Sequence, residues 1–233
     1  HHQIRGFAAG QLDRPLAQQY LEWVGRAVRL DFGTSLMYGR PVAGLVAERA
    51  RNTALLAVVA LLVATLIGLP LGVVAGSRRG MVSTLIRSGS VLALSLPSLV
   101  SSLLLVFVAA RTGWLPTGGM SALEPGAGGW FASLVDLARH LVLPAAALAL
   151  PLAATIERLQ ARAVADTLRE PFVVAALARG VPASRVLWRS ALKPALRSVT
   201  AIYGLIFGSV LSGSFVVEIV TSWPGLGRLM FDA

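Results

Sequence analysis

Glu170-Pro171-Phe172-Val173-Val174-Ala175-Ala176-Leu177-Ala178-Arg179-Gly180-Val181-Pro182 lies within a hydrophilic stretch, Glu157 to Ser198, that separates two apolar runs. Pro171 suits the first turn of a helix, and Gly180 suits a left-handed C-terminal cap. Val181-Pro182 then opens a second helical run, so the pattern predicts a short helix, a sharp glycine turn and another helix. Arg158, Arg162, Arg169, Arg179, Arg185, Arg189, Lys193 and Arg197 outnumber Glu157, Asp166 and Glu170 by eight to three. Such an excess beside apolar runs marks the cytoplasmic face of a membrane protein. A membrane protein that holds this shape in a cytosolic loop is expected to offer it to a partner.

The rest of the composition agrees with a bilayer as solvent. Hydrophobic residues make up 55% of the 233, charged residues 14%, and the mean hydropathy is +0.71, too apolar for an ordinary soluble domain of this length. The net charge of +10 does not point to nucleic acid, because the basic residues cluster in loops beside apolar runs and lack interleaved aromatics. Cysteine is absent, which excludes disulfides, thiolate metal sites and cysteine nucleophiles. The start at His1-His2-Gln3 and the stop at Ala233 suggest a fragment of a longer protein.

Four apolar runs approach the length needed to cross about 30 Å of hydrocarbon at about 1.5 Å per residue. They are Thr53 to Gly76, Ser88 to Ala110, Leu141 to Ile156 (extendable back to Leu134) and Val199 to Val217. Pro97 is expected to bend the second, and Pro144 and Pro151 to kink the third. Loop charges orient them: Ser77 to Arg87 and Glu157 to Ser198 inside, Arg111 to His140 and Glu218 to Ala233 outside. Residues 1 to 52 then lie outside despite seven basic residues against four acidic, an exception that long flanking segments allow. Within them, Pro15 to Leu30 has the periodicity of an amphipathic helix, Asp31 to Ser35 reads as a turn, and Pro41 to Arg49 as another short helix.

Small residues at spacing four, Gly68/Gly72/Gly76 and Gly204/Gly208/Ser212, predict close helix packing in lipid, with direct substrate contact as the alternative. Ser95, Ser98, Ser101 and Ser102 are expected to share one helix face, either lining a path or gluing helices together. Ionisable groups are almost absent from the spans, unlike an ion-coupled carrier. No Gly-x-x-x-x-Gly-Lys-Ser/Thr loop and no hydrolase or zinc signature is present. The chain is therefore expected to be neither an ATPase nor another enzyme, to hold no metal or cofactor, and to draw its energy from elsewhere.

Ala175-Ala176-x-x-x-Gly180, followed by Leu192 and Pro194, resembles the cytoplasmic loop of permease subunits of bacterial binding-protein-dependent ABC importers. Asp31-Phe32-Gly33-Thr34-Ser35 with Gly39-Arg40-Pro41-Val42 and Glu48-Arg49 is similar to the outer segment of the dipeptide, oligopeptide and nickel branch. Phe215-Val216-Val217-Glu218 with Ser222-Trp223-Pro224-Gly225-Leu226-Gly227-Arg228 is similar to that branch's last outer loop, and Leu12-Asp13-Arg14-Pro15 with Gln19-Tyr20 and Trp23 fits it too. The general pattern has Glu six residues before the glycine, where Val174 stands here; the peptide branch often lacks it.

The resemblance implies an all-α polytopic membrane protein with the type I ABC importer permease fold, four of about six transmembrane helices being present. Residues 1–52 would be an outer segment and 53–233 the transmembrane domain, with a cytoplasmic coupling loop at 157–198. It implies a subunit of an ATP-driven importer for peptides, related small solutes or nickel, in a bacterial or archaeal cytoplasmic membrane. Its partners would be cytosolic subunits that bind the ATP, a second homologous permease, an extracytoplasmic substrate-binding protein and membrane lipid. Phe172, Val173, Val174, Ala175, Ala176, Leu177, Arg179 and Gly180 would carry ATPase coupling through the 170–194 loop. Glu218, Trp223, Pro224 and Gly225 would lie at the outer gate or a binding-protein docking face, unless Trp223 is a plain interfacial anchor. Ser95, Ser98 and Ser101 would line the path. The alternative from another class is a scaffold or assembly protein whose basic loop docks a partner without moving solute.

Overall fold

The computed structural model describes residues 15–121 and 129–233. Leu12 to Arg14 and part of the outer loop between Arg111 and His140 lie outside the described residues. The described residues divide into a first unit that ends at Ala50 and a second spanning Arg51–Asp232.

In the first unit, helix α1 (Leu16–Val28) has no buried residue and stacks Tyr20 on Trp23, ring centroids 6.4 Å apart. The predicted turn follows: Asp31 Oδ1 accepts from the Gly33 N–H at 3.1 Å, and Thr34 bridges to Pro41. The expected separate helix from Pro41 to Arg49 does not exist as such. It is the first part of α2 (Val42–Ser77), because nothing between Val42 and Thr53 breaks helical geometry.

The second unit is built around α5 (Gly129–Thr167). Against it pack α3 (Met81–Ser95), α4 (Ser98–Thr112), the later part of α2, and α9 (Tyr203–Val220). The core has three levels along α5. At one end Leu56, Leu141, Leu148, Val217 and Trp223 meet; in the middle Ala57, Ala149, Ile156, Ile206 and Val210; at the other end Val73, Val164 and Ala195. Among the described residues three helices are long and apolar enough to cross a membrane, of 36, 39 and 18 residues, or four spans if one bent pair is counted.

That bent pair corrects the second predicted span. Ser88 to Ala110 is not one kinked helix: α3 and α4 meet at an angle of 100°. Leu96 is extended (φ −91°, ψ 118°) and Pro97 follows with ψ 146°, as expected where a proline ring pushes the preceding residue out of the α region. Pro144 and Pro151, by contrast, stand inside the continuous α5. The Glu157 to Ser198 stretch also differs from a loop. Its first eleven residues, Glu157 to Thr167, continue α5 and bury Glu157, Gln160, Ala161 and Val164, while Arg158, Arg162 and Asp166 stay exposed on the other face.

The glycine stripe of α2 explains that burial. A Cβ at Gly68 would sit 2.6 Å from the Ala153 carbonyl, and one at Gly72 would sit 2.6 Å from Gln160 Cβ; Gly76 lies as tightly against the Ala161 carbonyl. The packing reading therefore holds for this stripe. It fails within this chain for Gly204 and Gly208, which have nothing within 4 Å of such an atom. Helix α9 turns Ile206, Val210, Ser214 and Val217 inward instead.

Candidate functional site: a braced turn and a buried carboxyl knot

After α5 the chain forms α6 (Pro171–Ala178), α7 (Ala183–Val186), a π turn (Leu187–Ala191) and α8 (Leu192–Thr200). Pro171 occupies the first turn of α6 and Arg179 its C-cap. Gly180 has φ +82°. Its N–H donates to the Leu177 carbonyl at 2.9 Å and the Val181 N–H to the Ala176 carbonyl at 3.2 Å, the paired bonds of a Schellman end. An L-residue at Gly180 would meet no atom within 4 Å, so glycine is required there for backbone conformation, not for space. The π turn contains Ser190, whose carbonyl the ring of Pro194, four residues on in α8, would meet in regular α geometry.

One side chain roots this element. Val173 is 0% exposed and packs with Val186 and Ala191, backed by Leu168, Ala176 and Val181. Phe172, Val174 and Leu177 remain 48%, 54% and 42% exposed, and Ala175, Arg179 and Gly180 are exposed as well. Among the residues expected to contact a partner, Val173 is thus turned away from any such surface and Ala176 is half-buried. Burying a valine stabilises by about 1.5–3 kcal/mol, a modest hold that leaves the apolar outer face uncovered.

At the opposite end of the bundle, Glu218 and Trp223 are fully buried. Thr53 Oγ1 donates to Glu218 Oε1 at 2.7 Å, and the Gly227 N–H donates to Oε2 at 2.7 Å. Thr53 Oγ1 in turn accepts from the Leu226 N–H at 2.9 Å. Trp223 Nε1 donates to the Asn52 carbonyl at 3.1 Å, while Asn52 Nδ2 donates to the Pro224 carbonyl at 2.8 Å. The Gly225 backbone lies against the Glu218 carboxyl so closely that a Cβ there would overlap it. This corrects the placement of Glu218 and Trp223: neither lies on a docking face, and Trp223 is not an interfacial anchor, because both side chains close a knot between the start of the α2 span and the turn after α9. The participation of Asn52, Thr53 and Gly227 was not read from the sequence; a polar pair opening an apolar run was the available signal.

Ser95 does not share a face with the other three serines, whereas Ser98, Ser101 and Ser102, three and four apart on α4, do. Ser95 ends α3 and Ser98 begins α4 across the 100° bend. Ser95 is exposed and donates to its own helix at Val91, whereas Ser101 and Ser102 are buried.

Among the described residues the regular structure is helical, with several helices long and apolar enough to cross a membrane, the architecture of a polytopic membrane protein. A family model described as "Binding-protein-dependent transport system inner membrane component" matches residues 68–233, and the chain belongs to that family. It is 36% identical over 225 residues to the oligopeptide transport system permease protein AppB of Bacillus subtilis (strain 168), covering 95% of this chain and 70% of the relative. It is 34% identical over 224 residues to the glutathione transport system permease protein GsiC of Escherichia coli (strain K12), covering 95% and 68%. The protein is a multi-pass inner-membrane permease subunit of a binding-protein-dependent importer, of the peptide branch.

Proposed function

We propose that this permease forms half of the path of an ATP-driven importer of peptides and that α6 couples it to a cytosolic ATPase subunit. The observation that carries the coupling role is the mismatch between rigidity and exposure in residues 171–181. The turn is fixed by two backbone bonds and one buried valine, yet Phe172, Val174 and Leu177 present uncovered apolar surface. A short helix held by its own small core and apolar on its outer face fits insertion into a partner's cleft. The basic flanks support a cytosolic position for it. Peptides are the cargo best supported, since the relatives carry oligopeptide and glutathione permease names.

Hydrolysis of ATP is assigned to the partner, with closure of the ATPase pair moving α6 as one body. A second permease completes the path, and an extracytoplasmic binding protein delivers the solute. In the full-length permease, Val174→Glu and Leu177→Glu place charge on the exposed face and leave Val173 in its core. Both are expected to insert normally but to lose the ATPase on purification and to abolish uptake. Retention of the ATPase with normal uptake by both variants would refute the coupling role.

A further inference from the structure

At the end of the bundle that carries the basic stretch, a cleft of about 660 Å³ lies between α3 and the last turns of α5. Arg158, Arg162 and Ala165 follow one another along α5 at spacings of four and three, so they form a stripe on one helix face, and Arg169 continues it just past the helix end. Arg87 faces the stripe from α3. Four cations thus line one cleft. The single acid among the lining residues, Glu157, is 1% exposed and keeps both carboxyl oxygens inaccessible, so it presents nothing to a ligand there. The chain itself does little to neutralise the arginines. Arg162 reaches the exposed Asp166 only at 3.8 Å, with its own side chain 86% exposed. Arg158 and Arg169 have no acidic partner among the described residues. Arg87 Nη2 donates to the Ala75 carbonyl near the end of α2, 2.9 Å away, which holds its guanidinium in place without neutralising it.

Like charges gathered in one cleft repel one another and attract an anion. Two observations select an anion carried by lipid over one from solvent. The cleft is partly apolar: Val91, one turn beyond Arg87, and Leu159 line it, and Leu85 and Leu92 beside them on α3 are 61% and 68% exposed, a surface suited to an acyl chain. The arginines also stand where an apolar span gives way to a basic stretch, the level at which basic pockets between helices hold anionic headgroups of the cytoplasmic leaflet. We infer that the cleft seats an anionic phospholipid of that leaflet, its phosphodiester held by Arg87, Arg158 and Arg162 with Arg169 at the rim, and its chains lying along Val91 and the exposed face of α3. The lipid would bridge α3 to α5 at the end of the bundle from which α6 follows. This inference needs only that the basic end of α5 face the cytoplasm, and it stands apart from the cargo and from ATPase coupling.

The test titrates the complete importer complex in detergent with phosphatidylglycerol or phosphatidylcholine, which share the phosphodiester and differ in net charge. Native mass spectrometry reads the affinity for the first lipid bound. Wild type is expected to prefer phosphatidylglycerol by at least about tenfold, since each basic residue near an anionic headgroup is worth about fivefold. Arg158→Gln combined with Arg162→Gln should therefore weaken phosphatidylglycerol by about 25-fold and leave phosphatidylcholine unchanged. Arg185→Gln combined with Arg189→Gln removes two exposed cations of the same basic stretch that do not line the cleft, and should change the affinity by no more than about twofold, as expected for screened charges at a distance. A phosphatidylglycerol with a photoreactive headgroup should label the wild-type complex within residues 81–95 or 157–169, a readout that needs no variant. Equal affinity of the wild type for the two lipids, equal losses in the two double variants, or label found only outside those residues overturns the proposal. So does competition by soluble glycerol phosphate at the affinity of the lipid itself, which would assign the cleft to a soluble phosphate. Loss of a subunit from the Arg158→Gln, Arg162→Gln complex, with no lipid preference in the wild type, would assign it to a protein contact and overturn the proposal as well.

Discussion

Replacing Glu218 by glutamine changes one atom and tests whether the buried knot holds the outer-loop end of the bundle together. Both carboxyl oxygens act as acceptors, one for the Thr53 hydroxyl and one for the Gly227 N–H, each at 2.7 Å. A glutamine offers one acceptor and one NH2 group. If the NH2 faces Gly227, two donors oppose each other. If it faces Thr53, the hydroxyl must turn its hydrogen away and accept, although it already accepts from Leu226. Either way one buried donor loses its partner, at a cost of about 1–3 kcal/mol. For a chain of this size about 1 kcal/mol lowers the melting midpoint by roughly 2–4 °C, so Glu218→Gln should fall by roughly 2–12 °C. The assay is thermal denaturation of the purified permease in detergent, followed by the loss of its monodisperse size-exclusion peak. Glu218→Leu orphans both donors and should fall further. Thr53→Val combined with Glu218→Gln should cost less than the two singles added, since they break the same bond. A midpoint for Glu218→Gln within about 1 °C of wild type on that scale, or strict additivity with Thr53→Val, would show that the knot contributes nothing.

Gly72→Leu should sharply reduce the yield of folded permease, because its side chain must displace the Gln160 stem and the Glu157 carbonyl, while Gly208→Leu, on a face open within this chain, should leave the size-exclusion profile unchanged. Gly180→Val should loosen the Schellman end by about 1–2 kcal/mol through its φ of +82°, read as faster tryptic cleavage after the exposed Arg179, with Gly180→Asn intermediate. Pro97→Ala frees Leu96 from its extended conformation, and the chain's lack of cysteine lets spin labels at Ser88 and Val108 report a longer mean separation if the bend opens.

Most of the helix-forming segments were legible, though not how they join or break, because runs of about twenty apolar residues have few other solutions. The turn at Gly180 was legible for a similar reason: Pro171, Gly180 and Pro182 each restrict one backbone position, and these restrictions are local. What escaped was set by contacts distant in sequence. Pro97 and Pro151 read alike, yet one breaks a helix and the other stands inside one, since α5 is enclosed by α2, α3, α4 and α9 and α3 and α4 are not. Hydropathy ended the third span at Ile156 because Glu157 and Arg158 are adjacent. Their α-carbons point about 100° apart on a helix, so one is buried and the other exposed. Trp223 read as an interfacial anchor because its partner, the Asn52 carbonyl, lies 171 residues earlier.

The two ends of the bundle are held in different ways, and the difference suits a part that transmits movement. At the Glu218 end, several buried hydrogen bonds tie residues 52–53 to 218–227, and closely approaching glycines leave no room for adjustment. At the far end, α6 is rigid within itself but joined to the bundle through the small cluster around Val173 and through Leu168, which also packs against the Val73–Val164 cluster. Force applied to the exposed face of α6 would therefore pass to α5 and α8 before it could distort the turn. The glycine stripe of α2 then locks α2 to α5 over Gly68, Gly72 and Gly76, so these two helices would respond as one body. The sharpest bend among the described helices, 100° at the extended Leu96-Pro97 joint between α3 and α4, lies outside that α2–α5 pair.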